Sequence, residues 1–202
     1  MARLKIGWSD KDKVRSLEDV GGAISFDIWQ ISGQGLLDLE NEGFQTDTGS
    51  QRLDVMTEYA AYLIQLVDRF LFDSFELEHR KSLITATGLH LAGIMQDNRQ
   101  DTDGAGDYTA AFLQTLNSRI REYSNCQVDE KEGPSFVFLR VLGDHITAQM
   151  GAKDAKWITT YVIDIAGENL FRDLYRVLPG LLNPAARDIP EFDRLRGKNL
   201  DS

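Results

Sequence analysis

The distribution of proline constrains the fold of this chain more than any other sequence feature. The first 133 of its 202 residues contain no proline, and all four prolines follow, at Pro134, Pro179, Pro184 and Pro190. Proline interrupts a helix because it lacks a backbone N–H and its ring clashes with the preceding turn. Long segments of the first two thirds are therefore free to form helices.

Apolar residues recur at spacings of three and four along most of the chain, which is typical of amphipathic helices. The pattern predicts six helices, over residues 16–42, 51–72, 74–96, 108–123, 135–150 and 154–180. We therefore expect an all-α fold, a single-domain bundle of about six helices over residues 16–180. Residues 1–15 are expected to form a short irregular or strand-like segment. Residues 181–202, beyond Pro179-Gly180, are expected to form a loosely packed tail.

Two of these segments also carry features of strands. The first contains four glycines, each of which costs about 1 kcal/mol relative to alanine inside a helix. Its residues Ile24, Phe26 and Ile28 alternate as in a strand. A helix is favoured because only a helix joins them to Leu36 and Leu39 without a break. The fifth segment has a run rich in β-favouring residues, so a strand remains an alternative there.

Capping residues mark where several helices begin. Ser50, Asp107 and Ser135 each precede a helical pattern and carry a side chain that accepts hydrogen bonds from a helix N-terminus. Asp73 and Glu76, three residues apart, resemble a capping box for the third helix. These residues predict the starts of helices two to five.

The second helix is the most apolar segment. From Val55 to Leu77, 15 of 23 residues are hydrophobic, and the polar ones, including Glu58 and Gln65, fall on one narrow stripe. A helix that is apolar around most of its circumference has to be covered on several sides. We expect it to be the central helix of the bundle or part of a subunit interface. Asp68 and Arg69, adjacent within it, are interpreted as a structural pair.

Charge and cysteine content disfavour several classes of function. Asp and Glu outnumber Lys and Arg by 32 to 22, for a formal net charge of −10, which disfavours nucleic acids and anionic membranes as partners. No apolar stretch approaches the ~20 residues of a membrane span, and the N-terminal residues lack the apolar core of a signal peptide. The single cysteine, Cys126, cannot form an internal disulfide. We expect a cytoplasmic protein.

No catalytic or cofactor motif is complete. The chain has no phosphate-binding glycine loop, no G-x-G-x-x-G, no G-x-S-x-G and no H-E-x-x-H. One cysteine cannot build a cysteine-based zinc site. The sequence therefore identifies no cofactor and leaves open whether the protein is an enzyme.

Glu76 and His79 are the candidate metal ligands. Their Glu-x-x-His spacing places a carboxylate and an imidazole on one helix face, as in di-iron carboxylate bundles. Such bundles need a second pair, and Asp144-His145 does not supply it because adjacent residues point about 100° apart on a helix. An ordinary exposed histidine is the favoured interpretation of His79.

His90 is the candidate ligand-binding residue, together with Gly88 and Ala92. It lies within residues 82–96, the longest stretch without Asp, Glu, Lys or Arg. A buried imidazole needs hydrogen-bond partners, and small residues on a helix let another helix or a flat ligand approach the backbone. A core histidine bonded to another helix is favoured over one that contacts a ligand.

Two further groups of charged residues favour structural interpretations. Asp101–Gly104, in the turn-rich loop expected over residues 97–106, resembles the middle of a calcium-binding loop. The ligand positions on either side are unsuitable, so a turn is expected. Asp164, Glu168 and Arg172 lie four apart, which suits a surface ion pair as well as acid–base chemistry.

The leading hypothesis is a non-enzymatic, helical protein-binding or assembly protein, homodimeric, whose partner is itself or another protein. It rests on the excess apolar surface of the second helix, the small residues of the third and the lack of a catalytic set. The alternative is an enzyme or sensor with a metal or small-molecule pocket near His90, built with Glu76, His79 and Asp68.

Overall fold

The computed structural model describes residues 16–72, 74–129 and 132–188, the last six by their backbone alone. The elements are α1 (Leu17–Asn41), α2 (Gly49–Phe72), α3 (Leu77–Asp103), α4 (Thr109–Tyr123), β1 (Val128–Asp129), β2 (Gly133–Pro134), α5 (Phe136–Met150), α6 (Ala155–Tyr161) and α7 (Gly167–Asp188). A π-helical turn, Val162–Ala166, joins α6 to α7 without a break. The predicted all-α bundle is confirmed. None of the described helices combines the length and the apolar character needed to cross a bilayer.

Helix α2 is the centre of the bundle. Every residue from Val55 to Val67 is buried, because α1, α3, α4, α5 and α7 all pack around it. The expectation of a central helix is therefore correct. One chain is sufficient to cover the apolar surface of α2, so this surface does not argue for a subunit interface.

Helices α1 and α3 cross where both carry small residues. A Cβ atom added at Gly21 would lie 2.8 Å from the Cβ of Ala86 and 3.0 Å from the backbone nitrogen of Thr87. The glycines that weakened the helix prediction for α1 thus allow a close approach of two helices. The helix is confirmed over Leu17–Asn41, where Ser16 and Asp19 form a capping box.

The last turns of α3 were not expected. The sequence predicts a helix that ends near Gln96 and a loop from residue 97, but the helix continues to Asp103. Arg99 explains the extension, because it forms ion pairs with Asp54 of α2 and with Asp103. The calcium-like segment thus begins inside a helix, and its Asp103 is already paired.

Three of the predicted helix caps are wrong in detail. The N-cap residue of α4 is Tyr108, while Asp107 Oδ1 accepts a hydrogen bond from the backbone N–H of Thr109 at 3.1 Å. The cap of α2 is Thr48, whose Oγ1 accepts a hydrogen bond from the backbone N–H of Gln51 at 3.1 Å, while Ser50 donates to Asp103 at 2.7 Å. Glu76 is the N-cap residue of α3 without a capping side-chain hydrogen bond, and Asp73 lies outside the described residues.

The cap predicted for α5 is correct. The Ser135 side chain accepts a hydrogen bond from the backbone N–H of Phe138, and the segment after it is a helix, so the strand alternative is wrong. Before it, the segment between α4 and α5, where no helix was predicted, contains the antiparallel pair β1–β2.

The predicted end of the last helix at Pro179-Gly180 is also wrong. Helix α7 continues to Asp188, and Leu181 and Leu182 are buried. They extend the apolar spacing of the preceding turns. The free energy gained by burying them offsets the cost of the hydrogen bond that a proline removes inside a helix. Residues 189–202 and the strand-like segment 1–15 lie outside the described residues.

The close crossing of α1 and α3 gives a stability prediction. Gly21→Ala should lower the free energy of unfolding by about 1–3 kcal/mol, because the added methyl group meets Ala86 and backbone of α3. Gly93→Ala is the matched control, since nothing lies within 4 Å of its added Cβ and alanine favours a helix by about 1 kcal/mol. Urea denaturation followed by circular dichroism measures both. Equal stabilisation by the two variants would contradict the close crossing.

Candidate functional site

The structure places His90 and Gly88 against different neighbours of α3, and Ala92 is buried in the core. His90 is half-exposed, with its Nε2 3.0 Å from Oε1 of Glu18 on α1 and its ring against Gly22. Gly88 faces the other way, where an added Cβ would lie 3.3 Å from Leu116 and 3.8 Å from Ile64. His90 thus contacts another helix as expected, but it does so at the surface and not in the core.

The candidate metal ligands also remain isolated. Glu76 is exposed at the start of α3 and His79 is half-buried. Among the described residues, no three His, Cys, Asp or Glu side chains are grouped so that they could hold a metal ion.

Asp164 and Glu168 are exposed, and Arg172 donates to Oδ1 of Asn169 at 2.6 Å. The exposure of Asp164 and Glu168 and the contact of Arg172 therefore favour a structural role at the surface over acid–base chemistry for these three residues.

A buried ion pair that the sequence analysis missed joins α2 to α4. The Glu58 side chain is only 1% exposed, and Arg119 donates to both of its oxygens, from Nε at 2.7 Å and from Nη2 at 2.8 Å. Gln149 of α5 donates to the same carboxylate at 3.1 Å. The sequence did contain a signal for this ion pair. Glu58 is a carboxylate within an apolar helical segment, and a buried carboxylate needs a buried partner.

The ion pair continues towards the surface through two more charged groups. Arg119 Nη1 lies 2.8 Å from Glu122, and Nε2 of His145 lies 2.6 Å from the other oxygen of Glu122. Hydrogen bonding to Glu58 is the main cause that raises the pKa of Arg119. Burial acts to raise the pKa of Glu122, but His145 and Arg119 outweigh it and lower that pKa. Because these groups pair with one another, the network joins helices and presents no free acid or base.

Arg69 determines the path of the chain after α4. Its Nη2 donates to the backbone carbonyls of Tyr123 at 3.0 Å and Ser124 at 3.3 Å, so a side chain of α2 caps the C-terminus of α4. Its Nη1 pairs with Asp68 at 3.1 Å. These contacts agree with the structural interpretation of the Asp68–Arg69 pair. They also place the β1–β2 hairpin beside the end of α2.

An open groove of about 930 Å³ lies between the end of α2, the hairpin and the start of α5. We call it the hairpin groove. Phe72 from α2 and Phe136 from α5 line it, and their side chains are 59% and 64% exposed. Asp129 and Glu132 line it on the hairpin side. Large exposed apolar side chains that share one concave surface are characteristic of binding sites.

The exposed ring of Phe72 is held in place by its neighbours. The guanidinium carbon of Arg80 lies 4.7 Å from the ring centroid, within the range of a cation–π contact. Arg80 Nε in turn lies 3.2 Å from Asp68. Such support lowers the entropy cost of binding because less side-chain motion remains to be lost.

Cys126 also lines the hairpin groove, but its thiol is not activated. Burial raises the pKa of this thiol, and the opposing effect of Arg69 is smaller. A nucleophilic cysteine needs a lowered pKa. The surroundings of Cys126 therefore favour an unreactive thiol.

A second, smaller cavity of about 430 Å³ is lined by residues of α1, α2 and α3. Trp29, Leu37 and Arg52 are among its lining residues, and Arg52 lies 3.2 Å from Glu40 in an ion pair. Its volume is within the range of small-molecule sites. This cavity has fewer exposed apolar side chains than the hairpin groove. Among its lining residues in the described part of the chain, Leu37 is the one large hydrophobic residue that is highly exposed.

Comparison with known proteins identifies no relative. No protein-family model, curated protein or solved structure matches the chain. Function is therefore inferred from the geometry of the described residues.

The buried ion pair gives a second stability prediction. Arg119→Leu should lower the free energy of unfolding by about 3–5 kcal/mol, because it leaves the Glu58 carboxylate buried without its counter-ion. The double variant Glu58→Leu/Arg119→Leu should recover most of this loss, since both charges are removed together. Arg140→Leu, which breaks the exposed pair with Asp144, is the control and should change stability by less than about 0.5 kcal/mol. A small effect of Arg119→Leu would show that water solvates Glu58.

The lowered pKa of Glu122 gives a pH prediction. A carboxyl group whose pKa is lower in the folded state stabilises the protein above its unfolded pKa, near 4.5. This stabilisation is lost as the pH falls through the folded pKa. Glu122→Gln should therefore lower the melting temperature near neutral pH, and the difference from wild type should shrink as the pH falls below 4.5 through the lowered folded pKa. Glu78→Gln, at an exposed carboxylate, is the control for thermal melts. A difference that persists in acid would contradict an origin in the Glu122 charge.

Proposed function

We propose that the protein is a non-enzymatic, helical protein-binding module that accepts a segment of a partner protein in the hairpin groove. The observation that carries the proposal is the pair of exposed phenyl rings, Phe72 and Phe136, that line one large groove. Exposed aromatic side chains are enriched at the centres of protein interfaces.

The site suits a protein segment better than a small substrate. The groove is open, and its lining residues come from α2, the hairpin and α5, so a chain can lie along it. Catalysis needs a free acid, base or nucleophile within reach of a substrate. Of the groups that line the groove, the Cys126 thiol has a raised pKa, Arg69 is already bonded to carbonyls, and Asp129 and Glu132 are exposed to water. Against the metal or small-molecule alternative, His90 Nε2 already lies 3.0 Å from Glu18, and within the described ranges no third ligand is grouped with Glu76 and His79.

We take the partner to be a different protein. The argument for a homodimer began with α2, whose apolar surface is covered within one chain. The net charge of −10 opposes close approach of a second copy, and it also disfavours nucleic acid and anionic membrane as partners. A cytoplasmic location belongs to the same proposal and is supported by Cys126, a free cysteine.

Selection of binding peptides tests the proposal. Phage that display random peptides are selected on the wild-type protein, and the enriched peptides are measured against Phe72→Ser/Phe136→Ser. Their affinity should fall by about tenfold or more, because the apolar contact in the groove is lost. Leu89→Ser/Ile165→Ser is the matched control, since these exposed apolar residues lie outside the groove lining. Equal binding to wild type and to the Phe72/Phe136 variant would exclude the hairpin groove as the docking site.

Sedimentation equilibrium tests whether the hairpin groove instead binds a second copy of this chain. A dimer of the wild-type chain that separates into monomers in Phe72→Ser/Phe136→Ser would identify the partner as a second copy. A monomer at all concentrations agrees with a different protein as partner. Circular dichroism of each variant establishes that the bundle remains folded.

A further inference from the structure

The smaller cavity, of about 430 Å³, is lined by residues of α1, α2 and α3, and we call it the three-helix cavity. Its apolar lining includes the partly buried indole of Trp29 and the buried side chains of Leu53 and Met56. Its polar lining includes the carboxamides of Gln34 and Asn98. A concave surface that combines apolar side chains with a few polar groups is characteristic of small-molecule sites.

A glycine of α1 gives this cavity part of its room. Among the described residues, a Cβ atom added at Gly33 would contact the terminal methyl carbon of Met56 at 3.6 Å, an ordinary van der Waals distance. A Cβ atom added at Gly35 would instead lie 2.8 Å from Leu170, so that glycine is needed for helix packing. Gly33 is not needed for packing in this way, and it leaves space for a ligand beside the backbone of α1.

The two carboxamides use their N–H groups within the protein. Nε2 of Gln34 donates to Oδ1 of Asp38 at 2.8 Å, and Nδ2 of Asn98 donates to the backbone carbonyl of Ile94 at 2.7 Å. Because both partners are acceptors, these bonds fix which atom of each carboxamide is the oxygen. Within the described parts of the chain, no contact engages Oε1 of Gln34 or Oδ1 of Asn98, so both oxygens can accept hydrogen bonds from a ligand.

The charge at the three-helix cavity is balanced. Arg52 is its charged lining residue, and Nη1 of Arg52 lies 3.2 Å from Oε2 of Glu40. The other carboxylate oxygen of Glu40 accepts a hydrogen bond from the Thr46 hydroxyl. The ion pair has no net charge and the whole chain carries −10, so the lining favours an uncharged ligand over an anionic one.

We propose that the three-helix cavity binds a small, uncharged aromatic ring that carries an amino group, as in an aminopurine. The ring packs against Trp29 in the space beside Gly33, since flat rings gain free energy by packing against an indole. The amino group donates to Oδ1 of Asn98, which is less exposed than Gln34. An acceptor that only the ligand can satisfy discriminates against rings without a donor.

Adenine and purine test the ligand class, because the two rings differ only in the amino group. Their binding to the full chain is measured by ligand-observed NMR titration. Adenine should bind with a Kd of about 0.1–1 mM, as expected for a ligand of its size. Purine should bind at least about fivefold more weakly, since it leaves the acceptor unpaired. No binding of adenine at about 5 mM, above the expected Kd, would overturn the inference, as would equal affinities of the two rings.

Gly33→Leu tests the location of the site. Leucine favours a helix over glycine, so the fold should be retained, and its side chain should lower the affinity for adenine by about tenfold or more because it fills the cavity. Gly93→Leu is the matched control, since no described atom lies within 4 Å of its added Cβ and Gly93 is outside the cavity lining. Circular dichroism confirms that both variants fold. Equal affinity of wild type and Gly33→Leu for adenine would overturn the site.

Two substitutions of Asn98 test its role as the acceptor. Asn98→Leu should lower the affinity for adenine to that for purine and leave purine binding within about twofold, because the hydrogen bond alone is lost. Asn98→Asp keeps an acceptor oxygen and should keep the preference for adenine. A preference for adenine that survives in Asn98→Leu would overturn the assigned role.

The inference is independent of the proposed function. The three-helix cavity and the hairpin groove have no lining residue in common among the described residues. Phe72→Ser/Phe136→Ser should therefore bind adenine as wild type does, and loss of adenine from this variant would overturn the placement of the ligand among α1, α2 and α3.

Discussion

The enclosure of α2 is the constraint on which the rest of the structure depends. All residues from Val55 to Val67 are buried, so the surrounding helices have to cover this helix on every side. Burial of apolar surface contributes about 25 cal/mol per Å², which makes this enclosure the main source of stability. Glu58 lies within the enclosed part, and a buried carboxylate is tolerated only with a partner. Arg119 supplies that partner, and the ion pair therefore specifies which face of α4 packs on α2.

The position of the hairpin groove follows from this packing. Arg119 fixes α4 against the middle of α2, and Arg69 caps the end of α4 from the last turns of α2. The chain therefore leaves α4 beside the end of α2 and turns back through β1 and β2. The start of α5 completes the groove, so Phe136 lines the same groove as Phe72 although the two residues are far apart in the sequence. The groove is thus a consequence of the polar contacts that orient α4.

Local pattern predicted the helices but not the contacts between distant residues. The helices and the central position of α2 followed from apolar spacing, because such spacing needs no knowledge of the partner. The extension of α3 depends on Arg99 and its partner Asp54, and that of α7 depends on the burial of Leu181 and Leu182. In both cases tertiary contacts override local signals for a helix end. The groove escaped prediction for the same reason, since its walls belong to three separate segments.

The magnitudes at the groove indicate that the two phenyl rings do not by themselves account for tight binding. A phenylalanine side chain buries about 150–250 Å², so covering two rings that are more than half exposed yields roughly 4–6 kcal/mol. Association costs about 4–15 kcal/mol in lost freedom of motion. The rings alone therefore give weak binding at best, even with Phe72 held by Arg80. A partner that binds usefully therefore has to gain further free energy from apolar contacts with other lining residues of the groove, such as Val128.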